Sequence, residues 1–365
     1  MTFSATDHAA MARALAIAAN GLESTTPNPR VGCVIVRDGM TVGEGWHRRA
    51  GEPHAEVIAL QHAGDRARGA TAYVTLEPCS HFGRTPPCAD ALIAAGVSRV
   101  VAAMEDPNPL VGGRGLERLR ASGIQTAHGL LETEARELNI GFISRMSRGR
   151  PWLRLKAASS LDGKTALNNG VSQWITGAAA RADGHRWRAR ACAILTGIGT
   201  VKADDPQLTV RAVPCERQPL RVVIDARLDI LPSARILQGD PIVIATASED
   251  PEKHAQLTGA GHRLLVLPNE GGKVDLPALM SELGTLGLNE VHAEAGLKLN
   301  GSLLREGCVD ELLLYLAPML IGDAAQGLFN LAALTRLDEA VSLDIRDLRQ
   351  IGSDLRLIAR PRRST

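Results

Sequence analysis

The apolar positions near the start of the chain change from helical to strand-like spacing. In residues 7–20 they recur on one face of a helix, which Asp7 is placed to cap and Gly21 to end. Residues 31–36 and 41–46 then have the apolar and β-branched character of strands, joined by a short turn. This region therefore predicts a helix followed by a β-hairpin.

Beyond residue 50, predicted helices and strands alternate. Residues 57–61 favour the start of a helix, and residues 71–76 form an apolar run typical of a buried strand. The pattern continues with a helix at 89–95, a strand at 99–103 and a helix at 116–122. This order predicts an α/β domain whose mixed sheet is covered by helices on both faces.

A polar stretch at residues 145–151, which contains Gly149 and Pro151, favours a linker. We therefore predict two domains, 1–147 and 148–365. After the linker a helix is predicted at 178–189. Strands are predicted at 151–156, 193–196, 220–224, 242–245, 263–267, 290–293, 311–316, 341–348 and 355–359. The second domain is therefore also expected to be α/β.

Composition and charge argue against several classes of protein. The 365 residues carry a net charge of +1 and only 3% aromatic residues, whereas a nucleic-acid binder needs a basic surface with stacking aromatics. There is no long apolar run and no signal-peptide pattern, so we expect a cytoplasmic protein that does not associate with membranes. The cysteine spacing is unlike a disulfide framework. The cysteines expected to remain ordinary thiols are Cys33, Cys192, Cys215 and Cys308.

The stretch between residues 51 and 88 carries the candidate chemistry. His54, Cys79 and Cys88 offer three zinc ligands, which leaves the fourth tetrahedral position open for water. Glu56 could approach that water without binding the metal, as in the zinc-dependent deaminases. His54 and Cys88 are predicted at helix starts, where a thiol ionises more easily, and Cys79 follows a strand end. The alternatives are ordinary buried thiols and a purely structural zinc site.

Three motifs are similar to those of one enzyme family: TPNPRVG at residues 26–32, HAE at 54–56, and PC at both 78–79 and 87–88. Together they resemble the bifunctional riboflavin-biosynthesis deaminase–reductases, which also have eight residues between the two cysteines. The resemblance implies an N-terminal cytidine-deaminase-like α/β/α layer domain and a C-terminal dihydrofolate-reductase-like α/β domain. It also implies one zinc ion per chain and a contact between Asn28 and the pyrimidine substrate.

The resemblance extends through the second half of the chain and implies an NADPH site there. Backbone N–H groups at a helix start would contact the cofactor phosphate. The residues implied in the cofactor site are Ser159, Trp174, Thr200, Asp204, Gly296, Leu297, Lys298, Leu299, Asn300 and Gly301. Those implied for the reductase substrate are Ser172, Arg188, Leu208, Arg211 and Glu294. Of these, the two arginines suit the 5′-phosphate, because guanidinium groups pair with phosphate oxygens.

The family resemblance implies two consecutive reactions. Zinc-bound hydroxide would deaminate 2,5-diamino-6-(5-phosphoribosylamino)pyrimidin-4(3H)-one. NADPH would then reduce the ribosyl group of 5-amino-6-(5-phosphoribosylamino)uracil to a ribityl group. The alternative is a nucleoside or nucleic-acid deaminase with an accessory binding domain.

Two further expectations concern assembly and a glycine cluster. We expect a homo-oligomer formed through the reductase domain, with the apolar strand at 311–316 as a candidate for the two-fold interface. The glycines in residues 112–115 precede a predicted helix. They could cradle a phosphate or form an ordinary loop, and the sequence favours neither.

Overall fold

The computed structural model describes residues 2–80, 86–109 and 111–362. Residues 81–85, between the two candidate cysteine ligands, lie outside the described part. The chain divides into two compact units, Met1–Gly149 and Arg150–Thr365. In the described ranges, every helix is too short or too polar to cross a bilayer.

The first unit is built on a mixed sheet. Its strands in the described residues are β1 (Gly32–Arg37), β2 (Met40–Trp46), β3 (Thr71–Val74), β4 (Arg99–Ala102) and β5 (Gln125–His128). They lie in the order β2-β1-β3-β4-β5, with β1 antiparallel to both neighbours and the last three strands parallel. The helices are α1 (Ala5–Ala18), α2 (Ala55–Ala63), α3 (Cys88–Ala95), α4 (Arg114–Ala121), α5 (Glu132–Leu138) and α6 (Ile140–Arg148).

Apolar clusters cover both faces of this sheet. Side chains of β1 alternate, so that Cys33 and Ile35 join one cluster while Val34 and Val36 join the other. The first cluster contains residues of α2, α3 and α4, and the second contains residues of α1, α5 and α6. The predicted mixed sheet between two helical layers is therefore confirmed.

Helix α1 begins earlier than predicted, and Asp7 does not cap it. Ser4 is the N-cap: its hydroxyl accepts the Asp7 N–H at 3.1 Å, and the Asp7 carboxylate accepts the Ser4 N–H at 2.8 Å. The other Asp7 oxygen accepts hydrogen bonds from Tyr73 at 2.8 Å and Arg99 at 2.7 Å. Asp7 is therefore a buried acid that joins α1 to β3 and β4.

The predicted linker overlaps the last helix of this unit. Helix α6 continues to Arg148, and its Phe142 packs into the core. Gly149 ends the helix with a φ of +69°, a left-handed conformation that glycine adopts without a steric penalty. The first four residues of the predicted linker, 145–148, are therefore helical.

The second unit contains a larger sheet. Its strands in residues 150–362 are β6 (Trp152–Ser160), β7 (Lys164–Ala166), β8 (Ala193–Gly197), β9 (Leu220–Ile224), β10 (Val243–Thr246), β11 (Arg263–Val266), β12 (Glu290–Glu294), β13 (Glu311–Ala317), β14 (Gln326–Gly327), β15 (Leu343–Ile351) and β16 (Asp354–Pro361). Nine of these described strands form one sheet in the order β11-β10-β9-β8-β12-β6-β13-β16-β15, and β7 pairs separately with β14. The helices are α7 (Ala178–Arg190), α8 (Ile198–Asp204), α9 (Pro251–Gly259), α10 (Leu276–Thr285) and α11 (Leu297–Arg305).

The strand order reverses within the parallel part of this sheet. Strand β12 lies between β8 and β6 and is parallel to both, although the chain reaches it only after β9, β10 and β11 have extended the sheet outward from β8. Ligands of open α/β sheets bind where the strand order reverses, outside the carboxyl ends of the strands. Ser160, Gly197 and Glu294 mark those ends here.

Strand β13 is not an exposed interface strand. It pairs with β6 on one side and β16 on the other, and nearly all of its residues are buried. Its edges therefore cannot pair with a second chain, and that part of the assembly prediction is wrong. The exposed apolar side chains of this region include Leu343, Ile345 and Leu348 on the edge strand β15.

Candidate active sites

The three predicted zinc ligands converge at the carboxyl end of β3. His54 is the N-cap of α2, Cys88 is the first residue of α3, and Cys79 follows the strand. Their ligand atoms all lie within 4.8 Å of one another, and the described residues contain no other such group of three or more ligating side chains. His54 Nδ1 lies 3.2 Å from Cys88 Sγ and 3.7 Å from Cys79 Sγ. Nitrogen and sulfur ligands of tetrahedral zinc would be about 3.6 Å apart, so the cluster fits the metal.

Hydrogen bonds within this cluster shift the pKa values of its two thiols in opposite directions. The Cys88 thiol hydrogen-bonds to Cys79 and lowers the pKa of Cys79 to about 4, and the same hydrogen bond, together with burial, raises the pKa of Cys88. The Cys88 backbone N–H also donates to Cys79 Sγ at 3.3 Å. The hydrogen bond with Cys79 raises the pKa of His54. The site therefore favours one thiolate, which is the form that binds metal.

Glu56 lies in the first turn of α2, beside the three ligands. Its residue surface is only 3% exposed. Burial raises the pKa of Glu56 to about 7, and the negative charge of Cys79 adds to the increase. A carboxyl group that titrates near neutral pH is well suited to take up and release protons.

Asn28 contacts a histidine that the sequence analysis missed. Its side-chain amide lies 3.0 Å from Nε2 of His47, and Nδ1 of His47 lies 3.2 Å from the carbonyl oxygen of Pro53. A carbonyl can only accept, so Nδ1 carries the proton and Nε2 accepts from Asn28. The ring of His47 is buried against His54, with centroids 5.2 Å apart. The sequence feature that could have indicated His47 is its position as a polar residue directly after strand β2.

The glycines in residues 112–115 do not form a phosphate site. The N–H groups of Gly113 and Gly115 donate to the carboxylate of Glu77 at 2.9 and 2.8 Å. A buried side chain of the protein therefore already occupies these donors. Glu77 is a second residue that the sequence analysis missed.

In the second unit, Glu294 lies at the end of β12 within a cluster of positive charge. Arg188 donates two hydrogen bonds to the Glu294 carboxylate, one from Nε and one from Nη2 at 2.8 Å. Nζ of Lys156 lies 3.9 Å from Oε2 of the same carboxylate. Although burial alone would raise the pKa of Glu294, Arg188 and Lys156 hold it well below the usual range. Arg188 is thus engaged with a carboxylate, whereas the predicted phosphate ligand Arg211 is exposed. Lys156 was not among the predicted site residues.

His185 lies beside the predicted substrate residues. Its Nδ1 accepts the backbone N–H of Arg211 at 3.4 Å. Burial lowers the pKa of His185 to about 4, and the positive charges of Arg188 and Arg211 add to this effect. The imidazole is therefore neutral at physiological pH. Two other predicted substrate residues differ in exposure. Leu208, which shortly precedes Arg211 in the sequence, is buried and has a φ of +52°, whereas Ser172 is half-buried.

The predicted cofactor residues Ser159, Thr200 and Gly296 lie at strand ends and helix starts beside the point where the strand order reverses. Ser159 is buried, and its hydroxyl has no hydrogen-bond partner among the described residues. A Cβ on Gly296 would lie 3.9 Å from Oγ1 of Thr200, so the first turns of α8 and α11 are neighbours. Trp174 is 66% exposed, with the Arg181 guanidinium 4.5 Å from its ring centre, so it is not a core residue.

The start of α11 narrows the predicted set of phosphate donors. Gly296 is the N-cap, and the Asn300 N–H donates to its carbonyl at 3.0 Å. The predicted role of the Asn300 N–H is therefore wrong, and Leu297, Lys298 and Leu299 remain as the first-turn donors. A Cβ on Gly301 would lie 2.1 Å from the Asn330 carbonyl oxygen, so this glycine permits close packing. Asp204, the last residue of α8, is exposed.

The fold and the two sites define a deaminase domain followed by a reductase domain. Residues 4–104 match the cytidine and deoxycytidylate deaminase zinc-binding region, and residues 151–357 match the RibD C-terminal domain. The riboflavin biosynthesis protein RibD of Escherichia coli (strain K12) is 51% identical over 358 residues, which cover 94% of this chain and 96% of that protein. The RibD protein of Haemophilus influenzae is 46% identical over 376 residues, with 99% of each chain covered.

Two solved structures have the same architecture over the full length. Acinetobacter baumannii RibD, form 1, has a TM-score of 0.91 at 43% identity, and the match covers 98% of this chain and 99% of that chain. A diaminohydroxyphosphoribosylaminopyrimidine deaminase/5-amino-6-(5-phosphoribosylamino)uracil reductase from Thermotoga maritima has a TM-score of 0.87 at 32% identity, with the same coverage. The chain belongs to the RibD family and is a bifunctional deaminase–reductase of riboflavin biosynthesis. The relatives do not favour the alternative of a nucleic-acid deaminase.

Proposed function

We propose that the first unit deaminates 2,5-diamino-6-(5-phosphoribosylamino)pyrimidin-4(3H)-one at a zinc site held by His54, Cys79 and Cys88. A bound zinc ion would make its water acidic enough to serve as the nucleophile near neutral pH. Glu56 accepts a proton from the attacking water and returns it as the C2 amino group leaves as ammonia. Asn28, oriented by His47, contacts the pyrimidine ring.

The observation that carries this proposal is the convergence of three ligand atoms beside a buried carboxylate. The ligand atoms lie within 4.8 Å of one another, and Glu56 is next to them without being part of the set. A purely structural zinc site has no need of such a group. The three-ligand set also leaves one coordination position for water.

Metal content and ammonia release test the proposal together. The wild-type chain should contain one zinc ion and release ammonia from the phosphorylated diaminopyrimidine. Cys79→Ser and Cys88→Ser should each lose most of the metal, whereas Cys33→Ser, which changes a buried cysteine outside the ligand set, should keep it. Full zinc occupancy in the first two variants would refute the ligand assignment.

For the second unit we propose NADPH-dependent reduction of the ribosyl group of 5-amino-6-(5-phosphoribosylamino)uracil. The cofactor would supply a hydride to C1′, and the ring C1′–O4′ bond opens as O4′ takes up a proton. The first-turn N–H groups of Leu297, Lys298 and Leu299 support a phosphate contact at α11. The unpartnered hydroxyl of Ser159 near the end of β6 supports a contact with a polar group of the cofactor there.

In this proposal the substrate lies against Glu294 and Arg211. Glu294 is held as a carboxylate by Arg188, so it can accept hydrogen bonds from ring N–H or amino groups. The exposed guanidinium of Arg211 is the better placed of the two arginines for the 5′-phosphate. The test measures NADPH oxidation with the deaminated substrate. Glu294→Gln should raise the KM for that substrate.

We also propose that this cytoplasmic enzyme assembles through the reductase unit, using the outer face of β15. A bulge after Ile345 shifts the register, so that Leu343, Ile345 and Leu348 all lie on one face of the strand. These three side chains are exposed. Light scattering should find a dimer or larger oligomer for the wild type and a smaller species for Ile345→Asp. A wild-type monomer at micromolar concentration would contradict the proposal.

A further inference from the structure

Glu77 is buried directly before the Pro78-Cys79 pair and accepts four backbone hydrogen bonds. Its Oε1 accepts from Gly115 at 2.8 Å and Leu116 at 3.1 Å. Its Oε2 accepts from Gly113 at 2.9 Å and Asp106 at 3.1 Å. Only 3% of the residue surface is exposed. The carboxylate is therefore fully engaged inside the protein, although no step of the proposed chemistry uses it.

The donors belong to the loop that leads into α4 and to the first turn of that helix. N–H groups of a first turn have no partner within the helix, and a negative charge is favourable there. Gly113 has a φ of +79°, and a Cβ on Gly115 would lie 1.9 Å from the carbonyl oxygen of Pro78. The glycines therefore let the start of α4 close around Glu77 and Pro78.

The first turn of a different helix, α3, contacts Cys79 itself. The carbonyl of Cys79 accepts the N–H of Ala89 at 3.1 Å, and its Sγ accepts the N–H of Cys88 at 3.3 Å. Both donors lie in the first turn of α3. Cys79 is thus placed between two helix starts, with α3 contacting the cysteine itself and α4 contacting Glu77, two residues earlier.

We infer that Glu77 is a positioning residue, whose carboxylate ties the start of α4 to the strand end and thereby sets the position of the Cys79 thiolate. This inference rests on the proposed zinc site. Glu77→Gln preserves the size of the side chain, but its NH₂ group cannot accept the hydrogen bonds that one carboxylate oxygen accepts. Cys79 should then be less well placed. Loss of such supporting contacts typically weakens metal binding 10–100-fold, and we expect a decrease of about that size.

The test measures zinc affinity of the full chain by competition with a metal-binding dye. Glu117→Gln is the matched control, because Glu117 is an exposed residue in the first turn of α4 and the change removes the same charge. Glu77→Gln should bind zinc about 10–100-fold more weakly than wild type, and Glu117→Gln should bind as wild type does. With cobalt in place of zinc, Glu77→Gln should also show a weaker sulfur-to-metal charge-transfer band.

A merely structural role for Glu77 would lower the unfolding free energy equally with and without zinc and would leave the affinity of the folded protein unchanged. Equal zinc affinities for wild type and Glu77→Gln would therefore overturn the inference while leaving the zinc site intact. A wild-type chain that binds no zinc would instead overturn the proposed zinc site. If Glu77→Gln does not fold, Glu77→Asp replaces it, since the charge is kept but the shorter side chain cannot reach all four donors. Wild-type affinity in Glu77→Asp would equally refute the positioning role.

Discussion

Replacing Glu56 with glutamine should separate the two activities of the chain. Glu56 is 3% exposed and is the carboxylate beside the three ligand atoms, so bulk water cannot readily take its place. Groups that transfer protons in the rate-limiting step are typically worth roughly 10²–10⁴ in rate, which is about 2.7–5.4 kcal/mol of barrier. Because Glu56 is buried, we expect a loss of deamination in the upper part of this range.

The assay measures ammonia release, zinc content and NADPH oxidation on the same preparation. Glu56→Gln should retain zinc, because the metal is assigned to His54, Cys79 and Cys88. It should also oxidise NADPH at the wild-type rate with the already deaminated substrate, since the reductase residues all lie in Arg150–Thr365. Glu52→Gln, an exposed change four residues earlier, is the control and should leave both activities intact. Normal deamination by Glu56→Gln would refute the proton-transfer role, and loss of NADPH oxidation in a folded variant would refute two independent sites.

Three further predictions concern the second unit. Arg211→Ala should raise the reductase KM about tenfold and spare ammonia release, as expected for one lost charged hydrogen bond; an unchanged KM would argue against phosphate binding. Gly301→Ala should lower the free energy of unfolding in urea by about 1–3 kcal/mol, because its Cβ would lie 2.1 Å from the Asn330 carbonyl oxygen. Gly199→Ala, whose Cβ meets nothing within 4 Å, should stay within about 1 kcal/mol of wild type, and similar losses in both would contradict the packing argument. Burial lowers the pKa of His185 from 6.5 to about 4, so between pH 6.5 and pH 5 the unfolded chain takes up this proton first and acidification should weaken the fold. His185→Gln should reduce that loss in urea unfolding at the two pH values, and an equal loss would refute the assignment.

The sequence by itself located the convergent cluster of the first unit. His54, Glu56 and Cys88 could be placed because a helix start is a local feature, visible in the residues that precede an apolar run. The element order likewise predicted a mixed sheet between two helical layers, since the alternation of apolar side chains along β1 depends only on strand periodicity. Most strand and helix positions in the second unit follow from the same short-range pattern.

Contacts between residues distant in the chain were decided only by the tertiary structure. Asp7 has the sequence signature of a helix cap, but packing brings Tyr73 and Arg99 to it and makes it a buried acid. The backbone N–H groups that donate to Glu77 lie 29 to 39 residues later in the sequence. Arg188 and Glu294, which form an ion pair, are 106 residues apart in the sequence. No local pattern encodes these pairings, because they depend on which strand ends and helix starts the sheet order makes neighbours.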